Sequence, residues 1–129
     1  MHFDNKYMNI AFNLAKKGMA TSFPNPSVGC VIVECTHDFK NDKIAGFGFT
    51  QKGGRPHAEA KALEKVNFKK TKKYLCYSTL EPCSHFGRDV SCLDKIQKTP
   101  ISQIIFALKD PDKRMKGSKI KKLSVDGLS

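Results

Sequence analysis

His57 and Glu59, in Pro56-His57-Ala58-Glu59, and Cys83 and Cys92, which bracket Ser84 to Ser91, are the residues whose types could do chemistry together. A catalytic zinc takes about three His or Cys ligands and leaves one position open for water. His57, Cys83 and Cys92 meet that requirement, and Glu59 is then the carboxylate that moves protons. Zinc lowers the pKa of water to about 7, so hydroxide becomes available at neutral pH. The competing reading is a structural zinc site, which takes four protein ligands. The fourth would be His85, Cys30 or Cys35, with His85, inside the ligand loop, the strongest of the three. A structural site gives no reason for Glu59, which would then be an ordinary first-turn carboxylate favoured by the helix dipole.

These residues need elements that bring them together. Residues 4 to 18 read as a helix: Asp4 can cap it, Tyr7, Met8, Ala11, Leu14 and Ala15 form a stripe, and Gly18 follows Lys16-Lys17 as an ending. Val28 to Glu34 is a near-continuous apolar run suited to a buried strand. Ile44 to Thr50 is a second strand whose Gly46 and Gly48 permit close backbone approach. Pro56 opens a helix from about His57 to Val66. Residues two apart do not share a helix face, so His57 and Glu59 reach one site only if His57 stands at the very start of that helix. Tyr74 to Leu80 is a third strand, with Cys83 just beyond its carboxyl end, where open α/β sheets bind ligands. A helix from about Ser91 to Lys98 starts near Cys92, and a helix N-terminus favours a thiolate. Ser102 to Leu108 is a fourth strand, and Lys116 to Ser124 reads as a short basic helix.

The order α-β-β-α-β-α-β-α predicts an α/β fold: a mixed sheet opened by a hairpin, right-handed crossovers after it, and helices on both faces. At 129 residues the chain reads as a single domain, residues 1–129. No apolar run approaches the roughly 18 residues of a membrane span. The N-terminus lacks the order of a secretory signal, so a cytoplasmic setting and no membrane partner are expected. Five cysteines suit a reducing compartment with two metal-bound thiolates and three free thiols. Cys30 and Cys76 read as core residues, Cys35 as a free thiol and His37 as a hairpin-turn residue. The net charge of +11 invites a nucleic-acid partner. The excess is lysine spread along the chain, however, and the run Lys119 to Lys122 has no interleaved aromatics for base stacking. A phosphorylated small substrate would also suit a positive field.

His-x-Glu followed by Pro-Cys is the signature of the zinc-dependent nucleobase deaminases. The chain resembles one branch of them more closely. Glu81-Pro82-Cys83-Ser84-His85-Phe86-Gly87-Arg88, the eight residues separating Cys83 from Cys92, Asn25-Pro26-Ser27-Val28-Gly29-Cys30 and Lys109-Asp110-Pro111 resemble the deaminase domain of the bifunctional riboflavin-biosynthesis protein. The likeness runs from the first helix to Gly127. It implies diaminohydroxyphosphoribosylaminopyrimidine deaminase activity, a phosphorylated pyrimidine substrate and Zn2+ on His57, Cys83 and Cys92. In the implied mechanism Glu59 takes a proton from water as it attacks the amino-bearing ring carbon, then protonates the ring nitrogen and the departing amine.

The resemblance also implies the cytidine-deaminase-like three-layer α-β-α fold, and substrate contacts by Asn25, His85 and Arg88. Read without it, Asn25 is a turn residue and His85 and Arg88 are surface-loop residues, though Arg suits phosphate. The chain departs from the family at Asp89-Val90-Ser91, where Thr-Pro-Pro is usual. Fewer prolines loosen the loop, and Asp89 sets a negative charge beside Arg88. The family's fifth strand falls where this chain closes, so four strands are expected, five if the last residues fold back. Four would leave Ser102 to Leu108 as a bare edge inviting self-association into a homo-oligomer. The reductase domain is expected to be absent and a separate reductase to act alongside. The alternatives are a nucleoside or tRNA deaminase and a non-catalytic zinc-binding module.

Overall fold

The strand β1 (Gly29–Cys35) is buried at every position, as its near-continuous apolar run requires of a central strand. The structure, a computed structural model, describes residues 5–22, 27–52, 57–80, 92–108 and 121–124; for 92–94, 108 and 121–124 it describes the backbone alone. On one side of β1 lies β2 (Lys43–Phe49), antiparallel; on the other lies β3 (Lys73–Leu80), also antiparallel. Next come β4 (Ile101–Leu108), parallel to β3, and β5 (Lys121–Ser124), parallel to β4. The sheet thus has five strands in the order β2-β1-β3-β4-β5.

Alternate strand residues face opposite layers. Helix α1 (Asn5–Ser22) packs Tyr7, Met8, Ala11 and Leu14 against Val31, Val33, Leu75, Tyr77 and Ile105. Helices α2 (Ala58–Glu64) and α3 (Cys92–Gln97) take the other face. There Ala58, Ala62 and Ile96 meet Cys30, Ile32, Tyr74, Cys76 and Ile104. Burying an isoleucine such as Ile32 or Ile104 completely contributes about 1.5–3 kcal/mol. The layers are α-β-α, as expected, and Cys30 and Cys76 are core residues with no exposure.

Three sequence expectations change. The described part of the expected basic helix, Lys121–Ser124, is strand β5. It pairs Gln103 with Lys121 through Phe106 with Ser124, so β4 is covered rather than bare, and the reason for expecting self-association through that strand is gone. Helix α1 also runs past Gly18 to Ser22. Gly18 is not its ending: a Cβ there would come 2.7 Å from the Thr50 carbonyl oxygen, so the glycine is a point of close approach between helix and strand.

The end of the sheet remote from the carboxyl end of β3 is closed by charge. Glu34, 4% exposed, accepts a 2.8 Å hydrogen bond from the Tyr74 hydroxyl and pairs with Lys43 Nζ at 3.3 Å. The Tyr74 hydroxyl in turn accepts the Lys69 N–H at 2.7 Å. The Tyr74 bond, with a smaller contribution from Lys43, holds the Glu34 pKa below its ordinary 4.5. Burial pushes the Tyr74 pKa up.

Candidate active site

Helix α2 is seated on β2 by glycine. A Cβ at Gly48 would come 2.6 Å from Lys61 Cβ and 2.7 Å from the Ala58 carbonyl oxygen, so only glycine allows this approach. Gly48 pairs with Cys30 and Gly46 with Ile32. The first turn of α2 therefore lies toward the Gly29 end of β1. Because Cys30 also pairs with Ser78, that is the carboxyl end of β3.

His57 is the N-cap of α2, with φ −69° and ψ 161°. Its carbonyl accepts the Lys61 N–H at 3.1 Å, the first bond of the helix. An N-cap is extended and stands outside the helical repeat, so the rule that parts residues two apart does not bind it. The requirement that His57 stand at the very start of the helix is met. Glu59 follows in the first turn and is 4% exposed. Its carboxylate is thus enclosed at the positive end of the helix dipole.

From Leu80 at the end of β3 the chain runs on to Cys83, and Cys92 is the first residue of α3. Helix α3 then leads back to β4, which begins beside Tyr74 at the opposite end of β3. The crossover between these parallel strands therefore runs from the carboxyl end of β3 back to its other end, with α3 as its last helix. Helices α2 and α3 touch.

Asn25, Cys83, His85 and Arg88 lie outside the described residues, as does the Cys92 side chain. Among the described residues no group of three His, Cys, Asp or Glu side chains gathers; the expected ligand set is split across that boundary. The donor types fit zinc: a borderline-soft ion takes imidazole and thiolate readily, and the histidine at the N-cap comes with a separate, buried carboxylate. The alternative fourth ligands can be judged. Cys35 pairs with Lys73 at the far end of β3, and its Sγ donates to the Lys73 carbonyl at 3.7 Å. Burial pushes its thiol pKa up, which disfavours the thiolate a metal needs. Cys30 sits in the core with its Sγ 3.5 Å from that of Cys76. His37 is exposed in the turn after β1, as a hairpin-turn residue should be.

Two residues at this end of the sheet escaped the sequence reading. Thr50, just past β2, takes the Val28 N–H on its Oγ1 at 2.8 Å, and Thr79, in β3, takes the Gly29 N–H at 3.1 Å. Both are buried. A threonine at the end of an apolar strand reads as a β-former, so its hydroxyl passes unnoticed.

The family described as "Cytidine and deoxycytidylate deaminase zinc-binding region" matches residues 1–108. The "Riboflavin biosynthesis protein RibD" of Aquifex aeolicus is 42% identical over 97% of this chain, which spans about a third, 33%, of that relative. The "Diaminohydroxyphosphoribosylamino-pyrimidine deaminase" of Buchnera aphidicola subsp. Schizaphis graminum is 40% identical over 98% of this chain and 81% of its own length. The solved structure of Acinetobacter baumannii RibD, form 2, superposes with a TM-score of 0.77 at 34% identity, covering 93% of this chain and 34% of that one. In the described residues no helix is long and apolar enough to cross a membrane. With a family match over most of its length and a relative of nearly its own extent, this chain belongs to the cytidine and deoxycytidylate deaminase zinc-binding family, among the diaminohydroxyphosphoribosylamino-pyrimidine deaminases.

Proposed function

We propose that this chain hydrolytically deaminates a phosphoribosylamino-pyrimidine in riboflavin biosynthesis, with zinc held by His57, Cys83 and Cys92. The observation that carries the reading is the buried Glu59 carboxylate inside the first turn of a helix capped by His57. When bound, zinc supplies the Lewis acidity that brings the pKa of a water molecule to about 7. Glu59 accepts one proton from water as it attacks and passes it to the ring nitrogen, then takes the second from the hydroxyl so formed and passes it to the leaving amine. Its enclosure keeps bulk solvent from competing for them. Water attacks the amino-bearing ring carbon, that carbon's bond to the amine breaks, ammonia leaves and a carbonyl remains. Asn25 holds the amine region of the substrate, and His85 and Arg88 hold its phosphate, guanidinium being matched to phosphate oxygens. The product passes to a reductase.

Ammonia release from the phosphorylated pyrimidine, cytidine and tRNA, assayed side by side with a Glu59→Gln control, tests the reading. Turnover of the pyrimidine alone, lost in the control, is expected. Turnover of cytidine or tRNA instead would move the activity to another branch of the family. Zinc-loaded protein inactive on all three would mark a non-catalytic zinc module. Arg88→Ala should raise KM for the phosphorylated substrate more than it lowers kcat, because phosphate contacts far from the reacting carbon bind ground and transition states alike. Equal losses on phosphorylated and dephosphorylated substrate would assign Arg88 to the loop's structure.

A further inference from the structure

We infer that Thr50 and Thr79 are positioning residues that fix the start of β1 between the two strand ends from which the chain runs on to His57 and to Cys83. In a regular ladder the Val28 N–H would meet the Thr50 carbonyl, since the Thr50 N–H donates to the Val28 carbonyl at 3.0 Å. That carbonyl instead lies against Gly18 of α1, where a Cβ would be 2.7 Å away. The Thr50 hydroxyl takes over and accepts the Val28 N–H at 2.8 Å. On the other side the ladder between β1 and β3 reaches as far as Cys30 with Ser78. Beyond it, the Gly29 N–H is taken by the Thr79 hydroxyl at 3.1 Å.

Successive N–H groups of a strand point to opposite sides. Val28 is therefore held toward β2 and Gly29 toward β3 by two hydroxyls that are 2% and 4% exposed as residues. Ser27 is held from a third direction, its hydroxyl donating to the Ala15 carbonyl of α1 at 2.5 Å. The segment thus fixed is the one by which the chain enters β1 from Asn25. Its register against the segments that carry His57 and Cys83 passes through these two threonines. A hydroxyl does not titrate in the range where a deaminase works, so the register stays constant while protons move nearby.

The inference rests on the proposed function only for its activity readout. Thr79→Val keeps the shape and removes the acceptor, stranding a buried N–H, whereas Thr79→Ser keeps the acceptor. The Val variant should retain the wild-type zinc stoichiometry by metal analysis. Its KM should rise about tenfold, the scale of one lost buried hydrogen bond, with a smaller change in kcat. The Ser variant should return KM close to wild type. Amide exchange supplies a second reading that needs no substrate: protection at Gly29 should be lost in the Val variant and kept in the Ser variant.

Unchanged KM and kcat in Thr79→Val, or Thr79→Ser as impaired as Thr79→Val, would overturn the inference. Loss of zinc in the Val variant would also overturn it, by assigning Thr79 to the metal site. If Thr79→Val does not fold, Thr50→Val and Thr50→Ser decide by the same criteria, read at Val28. Wild-type protein that releases no ammonia from any substrate would defeat the functional reading alone; amide exchange would still decide the positioning role.

Discussion

The two ends of the sheet are held by different chemistry. At the far end a buried carboxylate, Glu34, is fixed by the Tyr74 hydroxyl and the Lys43 ammonium, and Tyr74 also takes the Lys69 N–H. At the candidate site the strands are tied by the neutral hydroxyls of Thr50 and Thr79, and the buried carboxylate is Glu59. The difference teaches where titration belongs. Glu34 is committed to its ionised form by its partners, so it serves structure and is unsuited to carrying protons. A group that must both take and give protons needs surroundings that do not change charge with it. Neutral hydroxyls hold the strand ends in the same way whatever the protonation of groups nearby, and an ion pair would not.

The contrast can be broken in order of effect. Cys92→Ala should abolish both zinc binding and turnover, because a three-ligand site cannot spare a thiolate. Metal analysis of the purified variant checks this, and full zinc retention would remove Cys92 from the ligand set. Glu59→Gln should keep zinc and fold while losing about 10²–10⁴ in turnover, the usual worth of a positioned acid–base group. Glu34→Gln at the opposite end should do the reverse, keeping kcat and losing stability. Equal turnover losses in the two variants would show that the sheet's ends are not functionally separate.

Smaller effects sharpen the far end. Tyr74→Phe removes the hydroxyl that serves both Glu34 and Lys69, and should cost about 1–3 kcal/mol in denaturant unfolding. The linked pH effect has a definite sign. The folded pKa of Glu34 lies below 4.5, so its contribution is present above that pH and is lost as pH falls toward the folded value. Wild-type protein should therefore lose stability below about pH 4.5 more steeply than Glu34→Gln. Parallel acid-unfolding curves for the two proteins would show that Glu34 gains nothing from its partners. Lys43→Ala should cost under about 1 kcal/mol, because the Lys43 side chain is 64% exposed and its charge is screened by water.

The sequence made the frame of this fold readable because its signals are local. Val28 to Glu34 announces a strand buried on both faces, the glycines of Ile44 to Thr50 announce close approach, and Pro56 places His57 at a helix start. His57, Cys83 and Cys92 were readable as donor types, and of these His57 is seen as the N-cap of the helix whose first turn holds Glu59. What stayed hidden depends on contacts distant in sequence. Strand β5 carries two lysines in four residues and has no apolar pattern; it is a strand because β4 offers a parallel edge. Gly18 has the look of a helix ending until Thr50 is found against it. The roles of Thr50 and Thr79 exist only once β1, β2 and β3 lie side by side, since each hydroxyl serves an amide on a neighbouring strand.

The glycine seat of α2 has a consequence for how this helix opens. Where Gly46 and Gly48 meet Ala58, Lys61 and Ala62, little or no side chain separates helix from strand. Such a contact has no rotamer to change and cannot loosen by degrees: the first turn is either down on β2 or away from it. Hydrogen exchange in the short helix should then be collective, Lys61 and Ala62 opening together rather than by fraying from the N-terminal end. The N-cap at His57 would hold one geometry for as long as α2 stays on the sheet.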